Sequence, residues 1–202
     1  TFHAKLPIFV ARQWIRHRTA RLNEISGRYS VMKDEFYLPG EPDIAFQSTD
    51  NKQGRSSDDV PANIRKKVRE IISRGQQQIY ADYRLLLDEN IARELARINL
   101  PLSIYTEWYW QIDLHNLLHF LALRLDAHAQ KEIRDYARVI DTLARTVCPV
   151  AFEAFDEHVR GGIRLSRSEA DAVRAMLKQK KCPLTGKAAA RLEDKLGIDC
   201  GT

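Results

Sequence analysis

SIYTEWYWQIDLHNLLHFLALR, residues 103–124, changes its periodicity halfway along. Its first ten residues are rich in aromatic and β-branched types, which favour a strand, and alternation then sends Trp108 and Trp110 to one face and Tyr105 and Tyr109 to the other. From Leu114 to Leu125 the apolar residues recur at helical spacing. The aromatic run reads as core and interface, and the unit as a strand feeding a helix. Toward the N-terminus, Phe2 to Leu6 alternates like a second strand. Pro7 suits the first turn of a helix through Ile8, Val10, Trp14 and Ile15. From Thr19 to Asp59 the pattern breaks into loops, marked by Gly27, Pro39, Gly40, Pro42 and the polar run Gln47 to Asp59, with one short strand expected at Glu35 to Leu38. Asp58 or Asp59 is the expected cap of a long helix ending near Asn90, followed by a short helix from Ala92 to Ile98 that stops before Pro101. Toward the C-terminus, helices are expected over Ala129–Val147, Pro149–Val159, Ser168–Gln179 and Thr185–Leu196, the last two joined by KKCPLTGK. The result is a helix-rich α+β chain with a small antiparallel sheet, sandwich-like in the broad sense.

Composition narrows the class. The chain has 202 residues, 44% hydrophobic and 29% charged, as in a folded globular protein. No apolar run approaches the ~20 residues that span a bilayer. Cys148, Cys182 and Cys200 form no CxxC pair and leave an odd count, which argues against a disulfide framework or a thiolate zinc site. The opening residues carry no signal peptide, so the chain is read as cytoplasmic, and its start at Thr1 as missing the natural beginning. A net charge of +5 suits an anionic ligand without identifying one.

The densest charge lies in RQWIRHRTARLNEISGRY, residues 12–29, where Arg12, Arg16, His17, Arg18, Arg21 and Arg28 crowd together. Such a cluster either caps a helix C-terminus at the surface or meets an anion. Ser26 and Gly27, with a hydroxyl and approachable backbone N–H groups, and Arg28, with a bidentate fork, favour a phosphate. Glu24 orients those guanidinium groups, hydrogen-bonds a ligand hydroxyl or amide, or simply pairs with one of the arginines. His115 and His119 share a helical face, but Asn116 replaces the acid of a zinc-protease helix; a core role, a ligand contact and a metal all stay open, with metal the weakest. Arg124, set among leucines, needs an anion or carboxylate partner unless it snorkels to the surface. Arg97 carries no signal of its own. No Walker loop, GxGxxG or GxSxG occurs.

RHRTARLNEIS, residues 16–26, resembles the RHR, seven residues, Ser signature of the flavin-dependent thymidylate synthases. The likeness continues through NEISGRY, ARINLP, DLHNLLHFLALR, DAHAQKEIRDYA and CPVAFEAF, covering about residues 2–155. It implies that residues 1–165 form the catalytic domain and residues 166–202 a helical tail, taken as lineage-specific, in a homotetramer whose sites are shared between subunits. It implies transfer of the methylene of methylenetetrahydrofolate to deoxyuridylate, with FAD reduced by NADPH as the hydride source, no metal, and neither nucleic acid nor membrane as partner.

The resemblance also implies roles. FAD would be held by Arg16, His17, Arg18, Asn23, Glu24, Asp113, Leu114, His115, His119 and His128. The nucleotide would lie along Gln13, Trp14, Ile15 and Arg16, with Glu24, Ile25, Ser26, Gly27, Arg28 and Arg97 around its phosphate and Arg124 against the uracil. Arg124 is the expected catalytic residue, because a cation beside N3 favours the deprotonated ring and enriches C5 in electrons. Some family members have Asn and Arg where this chain has Asp113 and His115. They also carry an upstream segment that completes the flavin site, so the chain reads as trimmed or incomplete. The other readings are an inactive paralogue serving as a structural subunit and a basic nucleic-acid-binding module, whose affinity would fall steeply with salt.

Overall fold

The structure is a computed structural model and describes residues 1–49, 54–179 and 184–197. Cys182, Cys200 and the first half of KKCPLTGK, residues 180–183, lie outside the described residues, as do residues 50–53 of the polar Gln47–Asp59 run. Three antiparallel strands form one sheet in the order β1-β3-β2: β1 is Phe2–Pro7, β2 is Arg21–Glu24 and β3 is Tyr105–Gln111. The expected aromatic strand is thus the centre of the sheet, flanked by segments about a hundred residues away in sequence. Pro7 closes β1 opposite Tyr105 and, in an extended conformation, caps α1 (Ile8–Trp14) from outside its first turn.

Alternation divides the sheet into two faces. Leu6, Thr106, Trp108 and Trp110 point inward, where α1 and α4 (Leu114–Arg124) cover them. Trp14 stands at the centre, fully buried, edge-on to Trp108 and Trp110 at ring separations of 5.4 and 5.1 Å and stacked on Phe120 at 5.2 Å. The other face stays open: His3 stacks on exposed Tyr109 at 4.8 Å, and Lys33 pairs with Glu107 at 3.2 Å. Each inward ring removes roughly 150–250 Å² from water, so this aromatic knot is the strongest apolar contribution to the fold.

α2 (Ala62–Asp88), 27 residues and about 40 Å long, ties down the irregular segment that follows β2. Tyr83 Oη accepts from the Met32 N–H at 3.1 Å, Tyr80 donates to the Met32 carbonyl at 2.9 Å, and Gln76 donates to the Tyr37 carbonyl at 2.8 Å. Its cap is Pro61 and not an aspartate: Asp58 is bonded to Ser56, and Asp59 is drawn to Arg65. The strand expected at Glu35–Leu38 reduces to one bridge, Phe36 to Ile104, because Pro39 has no N–H to extend a ladder. β2 itself lies where loops were expected. α3 (Arg93–Ala96) runs into a 3₁₀ turn over Arg97–Asn99, and α5 spans Lys131–Val147.

The chain divides into two compact units, Thr1–Asp141 and Thr142–Thr202; the expected domain boundary at residue 165 lies inside the second. In that unit α6 (Pro149–Phe155) ends in a π turn over Asp156–Arg160 that holds the residues expected to be helical through Val159. Only glycine fits at 162, since a Cβ there would sit 2.4 Å from the His158 carbonyl oxygen. α7 (Arg167–Gln179) and α8 (Gly186–Leu196) pack around Ala172 and Leu192. Buried Glu169 accepts from Lys195 Nζ at 2.6 Å and the Ser166 N–H at 2.7 Å, which hold its carboxyl down at about 2.

Candidate functional site

Where β2 ends, the chain turns across the edge of the sheet and walls a cavity of about 620 Å³. Ile25 is still pinned to β3 through its N–H and the Glu107 carbonyl at 2.9 Å; the chain then reverses over Ser26, whose carbonyl accepts from Tyr29 and Ser30. Gly27 sits close to its neighbours: a Cβ would lie 3.2 Å from both Met32 Sδ and Arg97 Cδ, so those side chains would have to shift by a few tenths of an ångström. Glu24, Ile25, Ser26, Gly27, Arg28 and Arg97 line this one cavity together with the apolar Ile8, Leu100 and Ile104. Residues some seventy positions apart in sequence thereby share one wall.

The polar groups of the cavity are arranged unequally. Glu24 accepts from the hydroxyl of buried Thr106 at 2.6 Å, which aims one carboxylate oxygen and leaves the other available. Arg28 is forked onto Glu94 at 3.2 Å through both Nε and Nη2, each side chain more than half exposed. Arg97 has no hydrogen bond or ion pair among the described residues, and it shares the cavity with the carboxylates of Glu24 and Glu94. Among the described residues Ser26 Oγ is hydrogen-bonded only by the Arg28 N–H, at 3.3 Å, and no base there activates it, so the hydroxyl is equipped to bind and not to attack.

A second grouping forms where the end of α1 meets the end of α4. Arg124 Nε donates to His17 Nε2 at 2.9 Å, and its Nη2 to the Gln13 carbonyl at 3.4 Å. His17 packs edge-on against Phe120 at 4.8 Å and near His119 at 6.5 Å. Burial, the Arg124 cation and His119 push the His17 imidazole down to about 4, so it is neutral at ordinary pH. Burial also lowers Arg124 from its usual range. Arg124 and the α4 residues lie outside the lining of the larger cavity.

The remaining expected residues take distinct positions. Arg16 and Arg18 are exposed and without a side-chain partner among the described residues, while Ile15 is about half exposed. Trp14 is sealed in the core, so its side chain supports the segment from within. Gln13 bonds through its side-chain amide to Gln130. Leu114, His115 and His119 lie exposed along α4. Asp113 is the N-cap of that helix, accepting from the Asn116 N–H at 3.0 Å and its side-chain amide at 2.6 Å, bonds that lower its carboxyl. Asn23 lies on the strand face opposite to Glu24. His128 is bonded to Asp126 at 2.8 Å and lines a separate cavity of about 350 Å³ with Arg55, Gln130 and Arg134. Thr106 and Glu94 were missed. Alternation with Trp108 could have placed Thr106 inward; nothing in the sequence pairs Glu94 with Arg28.

A small sheet covered by helices, with a cavity that sets Arg28 and Arg97, the Ser26–Gly27 turn and the acids Glu24 and Glu94 against an apolar wall, defines a helix-rich α+β protein with a charged, polar cavity. Residues 1–150 match the family described as Thymidylate synthase complementing protein, and residues 163–199 match the Thymidylate synthase ThyX C-terminal domain. The chain is 61% identical over 196 residues to the flavin-dependent thymidylate synthase of Treponema denticola, covering 97% of this chain and 74% of that protein. To those of Treponema pallidum and Rickettsia conorii it is 53% and 50% identical, covering 97% and 89% of this chain but 64% and 65% of theirs. The crystal structure of the UMP/dUMP methylase PolB from Streptomyces cacaoi bound with 5-Br UMP superposes with a TM-score of 0.71 at 32% identity, covering 77% of this chain and 71% of that one. The chain belongs to the flavin-dependent thymidylate synthase family. The match over residues 163–199 shows that the C-terminal segment has relatives of its own.

Proposed function

We propose that the protein carries out the reductive methylation of deoxyuridylate to thymidylate, with residues 1–165 holding the site and residues 166–202 forming a helical tail. The observation that carries this reading is the joint lining of one cavity by Glu24–Arg28 and Arg97. A nucleotide monophosphate bears about −2 at neutral pH, and the free guanidinium of Arg97, the Arg28 fork and the N–H groups of the Ser26–Gly27 turn match it with charge-assisted bonds. Arg124, protonated and presented by two neutral acceptors, suits a uracil ring whose N3 and carbonyl oxygen must hold developing negative charge so that C5 can attack the methylene of methylenetetrahydrofolate. Ser26 binds and is not a nucleophile.

The chain also offers groups that fit FAD. Arg16 and Arg18 supply unpaired cations for phosphates, and Leu114, His115 and His119 present an exposed apolar and imidazole surface for a planar ring, with Asn23 and His128 as further contacts. Asp113, whose two carboxylate oxygens each accept one bond from Asn116, contributes through their remaining lone pairs. When bound and reduced by NADPH, the flavin supplies the hydride that completes the methyl group. These groups face outward from one chain, which supports a homotetramer whose sites are built from more than one subunit. A cytoplasmic location goes with such charged, water-borne substrates.

The test is the visible flavin spectrum of the purified protein, followed by titration with deoxyuridylate in the presence of NADPH. The expected result is bound flavin whose spectrum or oxidation rate responds to the nucleotide. A protein that takes up neither FAD nor deoxyuridylate overturns the proposal.

A further inference from the structure

The RHR triplet is not three equivalent contacts. Beyond α1 the backbone turns tightly, with the His17 N–H donating to the Trp14 carbonyl at 3.0 Å. Arg16 and Arg18 are thereby turned to solvent and His17 inward, onto α4. There its Nε2 meets the Nε of Arg124 at 2.9 Å, with the Phe120 ring edge-on beside it.

We infer that His17 is the positioning residue of Arg124: its Nε2 accepts from the guanidinium Nε and fixes the plane in which the two terminal nitrogens meet the pyrimidine. The inference rests on the function proposed above. A guanidinium has five N–H donors; His17 and the Gln13 carbonyl engage two of them, on Nε and Nη2, and leave three for the ring. Both acceptors are uncharged. A carboxylate in the place of His17 would orient Arg124 equally well but would cancel the charge that the uracil needs. The imidazole orients without neutralising.

This role requires an unprotonated Nε2, and the surroundings supply the condition. The titratable groups facing His17 are Arg124 and His119 from α4, with Arg16 and Arg18 adjacent in its own turn, and none of them is an acid that would favour imidazolium. Burial comes first among the causes that push its titration down to about 4, followed by the Arg124 cation and then His119. The proton therefore sits on Nδ1, and Arg124 selects the tautomer.

Two substitutions separate acceptance from shape. His17→Phe keeps the packing against Phe120 and removes the acceptor; His17→Gln keeps an acceptor near the Nε2 position. Loss of a hydrogen bond to a charged group corresponds to about ten- to a hundredfold, so His17→Phe is expected to lower kcat and deoxyuridylate affinity by that order, and His17→Gln to recover most of it. Imidazole nitrogen NMR of the wild-type protein is expected to find the Nδ1–H tautomer well below the ordinary midpoint of 6.5, and Arg124→Ala to raise that midpoint. His17→Phe equal to wild type, His17→Gln as impaired as His17→Phe, or an Nε2–H tautomer in wild type each overturns the assignment. A wild-type protein that binds no deoxyuridylate overturns the function proposed above instead, and the NMR measurement still decides the His17–Arg124 bond.

Discussion

Arg28 and Arg124 are both held by a single named side chain, and the two holders differ in kind. Glu94 faces Arg28 across an open cavity, with both side chains more than half exposed, so the pair gains little in water and yields easily to a better anion. His17 meets Arg124 in a half-buried place where a charge is costly and a neutral acceptor is what burial allows. An acid as partner makes an arginine replaceable by charge balance. An imidazole as partner makes it a fixed, full cation. The first arrangement suits capture of a phosphate; the second suits a ring whose charge changes during reaction.

The largest expected effect lies with the second arrangement. Arg124→Ala should lower kcat by about 10²–10³-fold, the usual loss when a positioned electrostatic donor is removed, while circular dichroism and flavin binding stay close to wild type. A kcat within tenfold of wild type would erase the distinction between the two arginines. Next comes Arg97→Ala, expected to weaken deoxyuridylate binding about ten- to a hundredfold by calorimetry and to change kcat at saturation much less. Arg28→Ala should cost less than Arg97→Ala, because Arg28 must first give up Glu94. The reverse order would mean that Glu94 prepares Arg28 for the phosphate and does not compete for it.

Acidification sharpens the comparison through stability. The folded-state midpoint of His17 lies below its unfolded value, so between 6.5 and about 4 the unfolded chain takes up a proton that the folded chain refuses. The His17 contribution is unaffected above 6.5 and stability declines as pH falls through that window. His17→Gln removes the ionisation, and its melting temperature should fall less than that of wild type between pH 7 and pH 5. Equal slopes would show that His17 titrates normally.

How much of this was legible in the sequence depended on distance along the chain. The strands β1 and β3 were readable because each alternates by itself, and β3 because its aromatics cannot all face water. β2 was not, since RLNE has one apolar residue and becomes a strand only by pairing with Tyr109 and its neighbours. The grouping of Glu24–Arg28 came from a contiguous motif, and the structure gathers those residues along one cavity. The partners that decide what the arginines do were out of reach: Glu94 is 66 residues from Arg28, and His17 is 107 from Arg124. Local pattern finds the charged groups, and only the fold says what each is held by.

The smallest expected effect tests that last point most directly. Glu94→Gln keeps the shape of the Arg28 partner and removes its charge. An exposed pair of this kind is worth about 0.2–1 kcal/mol, so releasing Arg28 should tighten deoxyuridylate binding by no more than about fivefold and steepen its decline with added salt. Turnover at saturating nucleotide should not move, because Arg124 and His17 are untouched. Weaker binding in Glu94→Gln would mean that the acid aims the Arg28 fork. The two arginines would then differ only in the charge of their holder and not in whether they are held in place.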